Sequence, residues 1–207
     1  MSRANEERLL IDGPSGNIEL ALNEPSGVSK GCALIAHPHP LYGGTLDNKV
    51  VQTLAKAFNA LGLTSVRFNF RGVGNSDGVY DEGVGELEDF KSVQSYADQR
   101  IRPEYTIFAG FSFGTYIVSH AATLGSPDQL VLIAPAVGKF EVMDVSEETL
   151  VIHGEEDDVV LLSDVLNWAR PQHIPVTVFP GSGHFFHGDL VRLKNTVINH
   201  CRYQLSS

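Results

Sequence analysis

The chain has 207 residues, of which 43% are hydrophobic and 19% charged, and its formal net charge is −10 at pH 7. A chain of this length usually folds with one substantial core, so we expect a single domain over residues 1–207. The composition excludes a disordered chain, and the apolar runs are too short for membrane-spanning helices. The 15 basic residues form no stripe, so neither nucleic acid nor an anionic membrane is expected as a partner.

The N-terminal segment MSRANEERLL has no apolar core and no small-residue cleavage site, which predicts that no signal peptide is present. Cys32 and Cys201 stand alone in a chain too long to need disulfide staples. We therefore expect two reduced thiols in a cytoplasmic protein.

The first elements predicted along the chain form a hairpin. Residues 18–22 alternate apolar and polar side chains, and residues 8–11 form a weaker strand candidate. The turn-forming stretch DGPSG (residues 12–16) lies between them and would join the two strands.

From residue 32 onward, strands that are apolar throughout alternate with amphipathic helices. The predicted strands are residues 32–37, 64–68, 105–109, 130–133, 150–153 and 176–179. The predicted helices are residues 48–61, 85–99, a helix that follows Ser112, and residues 163–169 and 189–204. This alternation indicates an α/β fold with a mostly parallel central sheet that is covered by helices on both faces. Ligands bind such sheets at the carboxyl ends of the strands.

The carboxyl ends of these strands carry the motifs that point to chemistry. The first two parallel strands end in HPHPLYGG (residues 37–44) and FNFRGVGNSDG (residues 68–78). Three later strands end in GFSFG (residues 110–114), HGEEDDVV (residues 153–160) and PGSGHFFHG (residues 180–188). These strand ends supply a serine, two aspartates and two histidines, in the order Ser, Asp, His along the chain.

The GFSFG turn between a strand and a helix resembles the nucleophile elbow of the α/β-hydrolase family, HGEEDDVV its acid loop and GSGHFF its histidine loop. HPHPLYGG and RFNFRGVGNSDG are similar to motifs of small bacterial α/β-hydrolases without a lid. The resemblance runs from about Ile18 onward and implies the α/β-hydrolase fold. Only residues 135–149 separate two predicted strands where larger members often insert a lid, so no lid domain is expected.

Ser112 is the expected nucleophile. A tight turn pushes its side chain off the sheet, and Gly110 and Gly114 let the backbone pack closely around it. The helix that follows points its N-terminus at the site, which favours an oxyanion. The alternative is that Ser112 only caps that helix.

The resemblance implies that the base is the histidine after the small-residue turn, which is His184, and not His187 three residues later. It places the acid at the fourth residue after the histidine of HGEEDDVV, which is Asp157. The adjacent Asp158 remains the alternative acid. The acid orients the imidazole and stabilises its cation without taking the proton.

An oxyanion hole needs two backbone N–H groups. The resemblance implies that one belongs to Phe113 and that the other lies in the loop after the first parallel strand. The two prolines of that loop have no N–H, which leaves three candidate residues: His39, Leu41 and Tyr42. The position of the donor in the family favours His39.

The resemblance implies a carboxylesterase-like serine hydrolase that acts on small ester or thioester substrates without a cofactor. Several aromatic residues are candidates to line an apolar substrate pocket: Tyr42, Phe111, Phe113, Phe185 and Phe186. The negative net charge disfavours highly anionic substrates. Outside the site, we expect Arg71 and Asp77 to hold a glycine-rich turn, and Asp89 to lie on a solvated helix face.

Two other functions compete with the serine hydrolase. The pairs His37/His39 and His184/His187, with the carboxylates between them, are residue types that ligate zinc in metal-dependent hydrolases. This hypothesis would leave the glycine-flanked Ser112 without a role. A hydrolase fold can also serve as a binding or receptor module with little turnover, although a complete Ser-His-Asp set argues against it.

Overall fold

The computed structural model describes residues 6–205, so residues 1–5 of the segment considered for a signal peptide lie outside the described part. The strands within this range are β1 Glu6–Gly13, β2 Gly16–Asn23, β3 Cys32–Ala36, β4 Thr64–Phe68, β5 Thr106–Phe111, β6 Gln129–Ile133, β7 Leu150–Gly154 and β8 Val176–Phe179. The helices are α1 Lys49–Ala60, α2 Val84–Arg100, α3 Phe113–Leu124, α4 Leu162–Ala169 and α5 Leu190–Leu205. The elements predicted from the sequence are confirmed to within two residues at each end.

The eight strands form one sheet in the order β1-β2-β4-β3-β5-β6-β7-β8. The β1–β2 hairpin is antiparallel, and β2 pairs antiparallel with β4, while all pairs from β4 to β8 are parallel. The chain therefore runs from β3 to β4 on one side and then continues with β5 on the other side of β3. Such a reversal opens a crevice at the carboxyl ends of β3 and β5, where ligands of α/β sheets bind.

Helices cover the sheet on both faces, as predicted. Apolar residues of α2, α3 and α4 pack on one face, and those of α1 and α5 pack on the other. Burial of these apolar surfaces is the main favourable contribution to folding. Cys32 lies in the first of these layers and Cys201 in the second. Both thiols are free and buried, and burial raises the pKa of each to about 12.

The segment between β6 and β7 bears on access to the crevice. It holds turns and one isolated bridge between Val137 and Phe140, and no helix interrupts it. The carboxyl edge of the sheet is therefore not covered by a lid built from this segment. No helix within residues 6–205 is long and apolar enough to cross a membrane.

Candidate active site

Ser112 lies at a sharp turn between β5 and α3. Its backbone has φ 53° and ψ −120°, a conformation that costs free energy for any residue other than glycine and that clusters at functional sites. A Cβ atom added at Gly110 would lie 2.5 Å from the carbonyl carbon of Gly114. One added at Gly114 would lie 2.3 Å from the Ala36 carbonyl oxygen. Both glycines are therefore required by close backbone contacts that hold the turn.

The Ser112 hydroxyl faces His184 and not the helix. Its Oγ lies 3.0 Å from His184 Nε2, and it makes no capping bond to α3. The capping alternative for Ser112 is therefore not observed. The N-terminus of α3 points at the same place, and the first N–H groups of a helix have no acceptor within it.

Asp157 completes a line of three buried side chains. His184 Nδ1–H donates to Asp157 Oδ2 at 2.7 Å, and the Val159 and Val160 N–H groups donate to Oδ1 at 2.9 and 2.8 Å. Burial by itself would raise the pKa of Asp157, but the hydrogen bonds from His184 and Val160 and the nearby imidazoles outweigh it, so the pKa is lowered. An ionised carboxylate with fixed oxygens orients the imidazole and stabilises its cation.

The alternatives for the acid and the base lie outside this line. Asp158 is exposed and lines the cleft beside Ser112. His187 is exposed, and its ring stacks on Phe185 with a centroid distance of 5.9 Å. Of the two aspartates and two histidines considered, the structure brings together Asp157 and His184.

The acid loop (residues 153–160) and the histidine loop (residues 180–188) pack together through their backbones. Glu156 N–H donates to the Ser182 carbonyl at 2.9 Å. A Cβ atom at Gly154 would lie 2.4 Å from that same carbonyl oxygen. The Ser182 hydroxyl donates to the carboxylate of Asp189, which ties the histidine loop to the start of α5. These contacts fix the distance between the acid and the base.

His153 lies directly beneath the acid loop and is completely buried. Its Nε2–H donates to the Val160 carbonyl at 2.9 Å and lies 3.5 Å from Asp157 Oδ2. Its Nδ1 is buried with no hydrogen-bond partner among the described residues. Burial lowers the pKa of His153, although the Asp157 carboxylate and the Val160 carbonyl oppose this shift, so the ring is held neutral. Through these contacts with Val160 and Asp157, His153 holds the turn of the acid loop.

The HPHP loop (residues 37–44) is held from below by His37. Its Nδ1–H donates to the Pro38 carbonyl at 2.6 Å, and its Nε2 accepts from Phe70 N–H at 3.1 Å. Both ring nitrogens are thus used by the backbone, and burial lowers the pKa of His37 to about 4.

Two of the three candidate oxyanion donors in this loop already have acceptors. Leu41 N–H donates to the His39 Nδ1 atom, and Tyr42 N–H donates to the His39 carbonyl, each at 3.2 Å. The His39 N–H has no acceptor among the described residues. At the other donor, Phe113 is the first residue of α3, so its N–H has no acceptor within the helix.

A cleft of about 450 Å³ opens beside Ser112. Its lining residues are His39, Tyr42, Ser112, Phe113, Ala136, Lys139, Phe140, Asp158, Val159 and Val160. Of the aromatic residues expected to form a pocket, Tyr42 and Phe113 line the cleft. The structure corrects the expectation for Phe111, because this side chain is completely buried in the core beneath His184. Phe186 is likewise buried in the core, and Phe185 lies on the outer side of the His184 ring.

The sequence did not indicate that Phe140 lines the cleft, and the solvated environment expected for Asp89 is not observed. Asp89 is buried and accepts hydrogen bonds from Arg71 N–H, Nε and Nη2 at 2.8 to 3.0 Å. The expectation of a solvated Asp89 is therefore wrong, because the Arg71 guanidinium covers it. Asp77 accepts from the backbone and side chain of Asn17 and so holds a turn, as expected.

The histidine pairs do not converge on a common point. Both nitrogens of His37 are occupied by the backbone, while His187 lies exposed beyond Phe185. Within residues 6–205, no group of three or more His, Cys, Asp or Glu side chains is arranged to hold a metal ion. The donor arrangement thus gives no support to the hypothesis of a metal-dependent hydrolase.

Comparison with known proteins agrees with this architecture. An α/β serine hydrolase homologue from Coxiella burnetii is 41% identical, with a TM-score of 0.88 over 96% of this chain and 98% of its own. A serine hydrolase without a lid from Xanthomonas campestris is 34% identical, with a TM-score of 0.92 over 98% and 96% of the two chains. An uncharacterized protein of Rickettsia prowazekii is 31% identical over 86% of this chain and 82% of its own length. No family model matches the sequence.

The chain belongs to the α/β-hydrolase superfamily, and it is similar to members that have no lid. The family expected from the strand-end motifs is therefore confirmed.

Proposed function

We propose that the protein is a carboxylesterase-like serine hydrolase that cleaves small ester or thioester substrates. The observation that carries the proposal is the continuous hydrogen-bonded line from Ser112 Oγ through His184 to Asp157, with distances of 3.0 and 2.7 Å. These distances lie within the range that proton transfer to a general base requires.

In the proposed reaction, His184 Nε2 takes the hydroxyl proton while Ser112 Oγ attacks the substrate carbonyl carbon. The tetrahedral oxyanion accepts hydrogen bonds from the N–H groups of Phe113 and His39. The bond to the leaving alcohol or thiol then breaks, and that group takes the proton from His184. Water repeats the sequence on the acyl-enzyme: His184 removes its proton, the acid is released, and Ser112 recovers its hydrogen.

The proposed second oxyanion donor is His39, because its N–H is the one of the three candidates without an acceptor among the described residues. Removal of one such donor typically lowers kcat by about 10² to 10³. No step of this mechanism requires a cofactor. The two buried free thiols are typical of a reducing compartment, which supports a proposed cytoplasmic location.

The proposal is tested by intact-mass measurement after incubation with a fluorophosphonate, on the wild type, Ser112→Ala and a control, Ser126→Ala. We expect one adduct on the wild type and on the control, where the serine is exposed just beyond the C-terminal end of α3, and none on Ser112→Ala. Turnover of p-nitrophenyl acetate is expected to follow the same pattern. A folded wild type that takes no label would contradict the proposal and favour a binding module.

A further inference from the structure

One side of the cleft is a continuous wall of aromatic rings. The His39 ring lies 4.7 Å from Tyr42, 5.0 Å from Phe113 and 5.6 Å from Phe140, between centroids. Tyr80 and Tyr116 pack behind these rings, at 4.9 Å from His39 and 5.4 Å from Phe140. Rings at such distances and tilts attract one another edge to face, so the wall is held as a unit.

Three rings of this wall offer surface to a ligand. Tyr42 is 87% exposed, and His39 and Phe140 are half-buried, whereas Phe113 is only 1% exposed and supports them from below. The remaining apolar lining comes from Ala136, Val159 and Val160. Aromatic rings that are grouped at the surface beside a nucleophile indicate a binding surface.

The position of the base decides which part of an ester lies against this wall. His184 must deliver its proton to the leaving group, so the leaving group has to lie on the His184 side of Ser112. The ring that packs against His184 on its outer side is Phe185, at 5.1 Å, and it is not part of the wall. His39 and Phe113, which carry the proposed oxyanion donors, belong to the wall and line the cleft, whereas His184 and Phe185 are not among the residues that line it. The acyl group therefore faces the wall.

We infer that the acyl group of the preferred substrate carries an aromatic ring, so that the enzyme acts on esters of aryl or arylalkyl carboxylic acids with small leaving groups. This inference rests on the proposed function, because it concerns the same site. An aromatic ring gains edge-to-face and stacking interactions from Tyr42, Phe140 and His39 that a saturated ring of the same size cannot make.

The test compares methyl 3-phenylpropanoate with methyl 3-cyclohexylpropanoate, which share the same chain and number of ring carbons but differ in the aromaticity and planarity of the ring. The quantity measured is the ratio of their kcat/KM values, followed by acid release at constant pH. Variants Tyr42→Leu and Phe140→Leu keep an apolar side chain but remove the aromatic face. We expect each to lower the ratio about 2- to 10-fold, the range of aromatic pair contributions.

Phe185→Leu is the matched control. Because Phe185 contacts His184, this variant can change both rates together, but it should leave the ratio within about twofold of the wild type. The ratio is also insensitive to the folded fraction of each preparation. An unchanged ratio in Tyr42→Leu and Phe140→Leu, or an equal fall in Phe185→Leu, would overturn the inference.

The failure of this inference and that of the proposed function give different results. If Ser112 is labelled by the fluorophosphonate and both methyl esters are cleaved without a ring preference that depends on the wall, only the inference about the acyl group is wrong. If no ester is cleaved and no label is taken up, the proposed function itself is wrong.

Discussion

The HPHP loop after β3 and the acid loop after β7 each pack on a buried histidine at the end of a strand. The two histidine rings differ in the hydrogen bonds that they make. His37 uses both ring nitrogens on backbone groups, Pro38 and Phe70. His153 uses one nitrogen on Val160 and leaves the other without a partner among the described residues, while its ring lies 3.5 Å from Asp157. In the proposed mechanism the first loop supplies the His39 N–H to the oxyanion, and the second supplies the Asp157 carboxylate that hydrogen-bonds to His184.

This difference shows how one residue type can serve two kinds of site. A loop that offers backbone N–H groups needs a rigid main chain, and a fully satisfied imidazole supplies it. A loop that offers a carboxylate needs its oxygens fixed, and the Val159 and Val160 N–H groups do this directly. His153 contacts the same loop through the Val160 carbonyl and is a positioning residue.

The largest effect is expected in the acid loop itself. Asp157→Asn should lower kcat about 10⁴-fold, because an amide no longer selects the imidazole tautomer that can accept the Ser112 proton. Asp158→Asn should remain within about threefold of the wild type, since Asp158 is exposed and outside the hydrogen-bonded line. The measurement is kcat for a short ester. A larger loss of kcat in Asp158→Asn than in Asp157→Asn would show that Asp158 is the acid.

The HPHP loop should be sensitive at Gly44. A Cβ atom there would lie 2.0 Å from the Pro38 carbonyl oxygen, which also accepts the hydrogen bond from His37. Gly44→Ala should therefore displace the proposed His39 donor and lower kcat about 10²- to 10³-fold. Gly183→Ala is the control in the histidine loop, because its Cβ would meet nothing closer than 3.7 Å. Equal kcat values for the two variants would contradict the role given to the HPHP loop.

The pH dependence of stability should distinguish His37 from exposed histidines. Its pKa is about 4 in the folded protein and about 6.5 in the unfolded chain, so between these values only the unfolded state binds the proton. Stability is therefore lost as the pH falls from 6.5 to 4, by about 3 kcal/mol. The lowered pKa of His153 acts in the same direction, whereas the lowered pKa of Asp157 matters only at more acid pH.

This loss is measured by urea unfolding at pH 7 and pH 4.5. His37→Gln should show a smaller loss between the two values than the wild type, because the titrating ring is gone. His187→Gln, which replaces an exposed histidine, should keep the wild-type loss. If His37→Gln loses as much stability as the wild type between the two pH values, the neutral buried state of His37 is refuted.

The smallest effect is expected at His153. His153→Leu removes the donor to the Val160 carbonyl and should lower kcat about fivefold with KM nearly unchanged, because a typical net hydrogen bond contributes about 1 kcal/mol. His153→Gln can place an amide N–H near the position of Nε2 and should recover most of the loss. A rise in KM alone, or no recovery by Gln, would show that His153 acts only through general packing.

The sheet and the line from Ser112 to Asp157 could be predicted because their signals are local. Strands buried on both faces appear as continuous apolar runs, and each site residue follows such a run directly. The order of the strands could not be predicted, since the placement of β4 between β2 and β3 depends on pairing between distant segments. The end of β5 was placed two residues early because Gly110 and Phe111 were assigned to the motif, although they also pair with β6.

The errors at Asp89 and Phe111 arose from contacts distant in sequence. Asp89 lies among other acidic residues on α2, and nothing nearby in sequence reveals that the Arg71 guanidinium packs on it. Phe111 ends a strand buried on both faces, and that pattern was a signal for core packing that the motif obscured. Phe140 was missed because it lies in a segment without periodic structure, where only the folded chain shows which side chains face the cleft.

The order of the three side chains along the chain has a consequence for the protein during its synthesis. Ser112 leaves the ribosome 72 residues before His184, and Asp157 precedes His184 by 27 residues. Until β8 has joined the edge of the sheet and the following loop has folded, Ser112 has no base to remove its proton. At typical elongation rates of about 5 to 20 residues per second, the nascent chain contains Ser112 without its general base for several seconds. An unfinished chain is therefore not expected to be acylated at Ser112 by the esters that it meets.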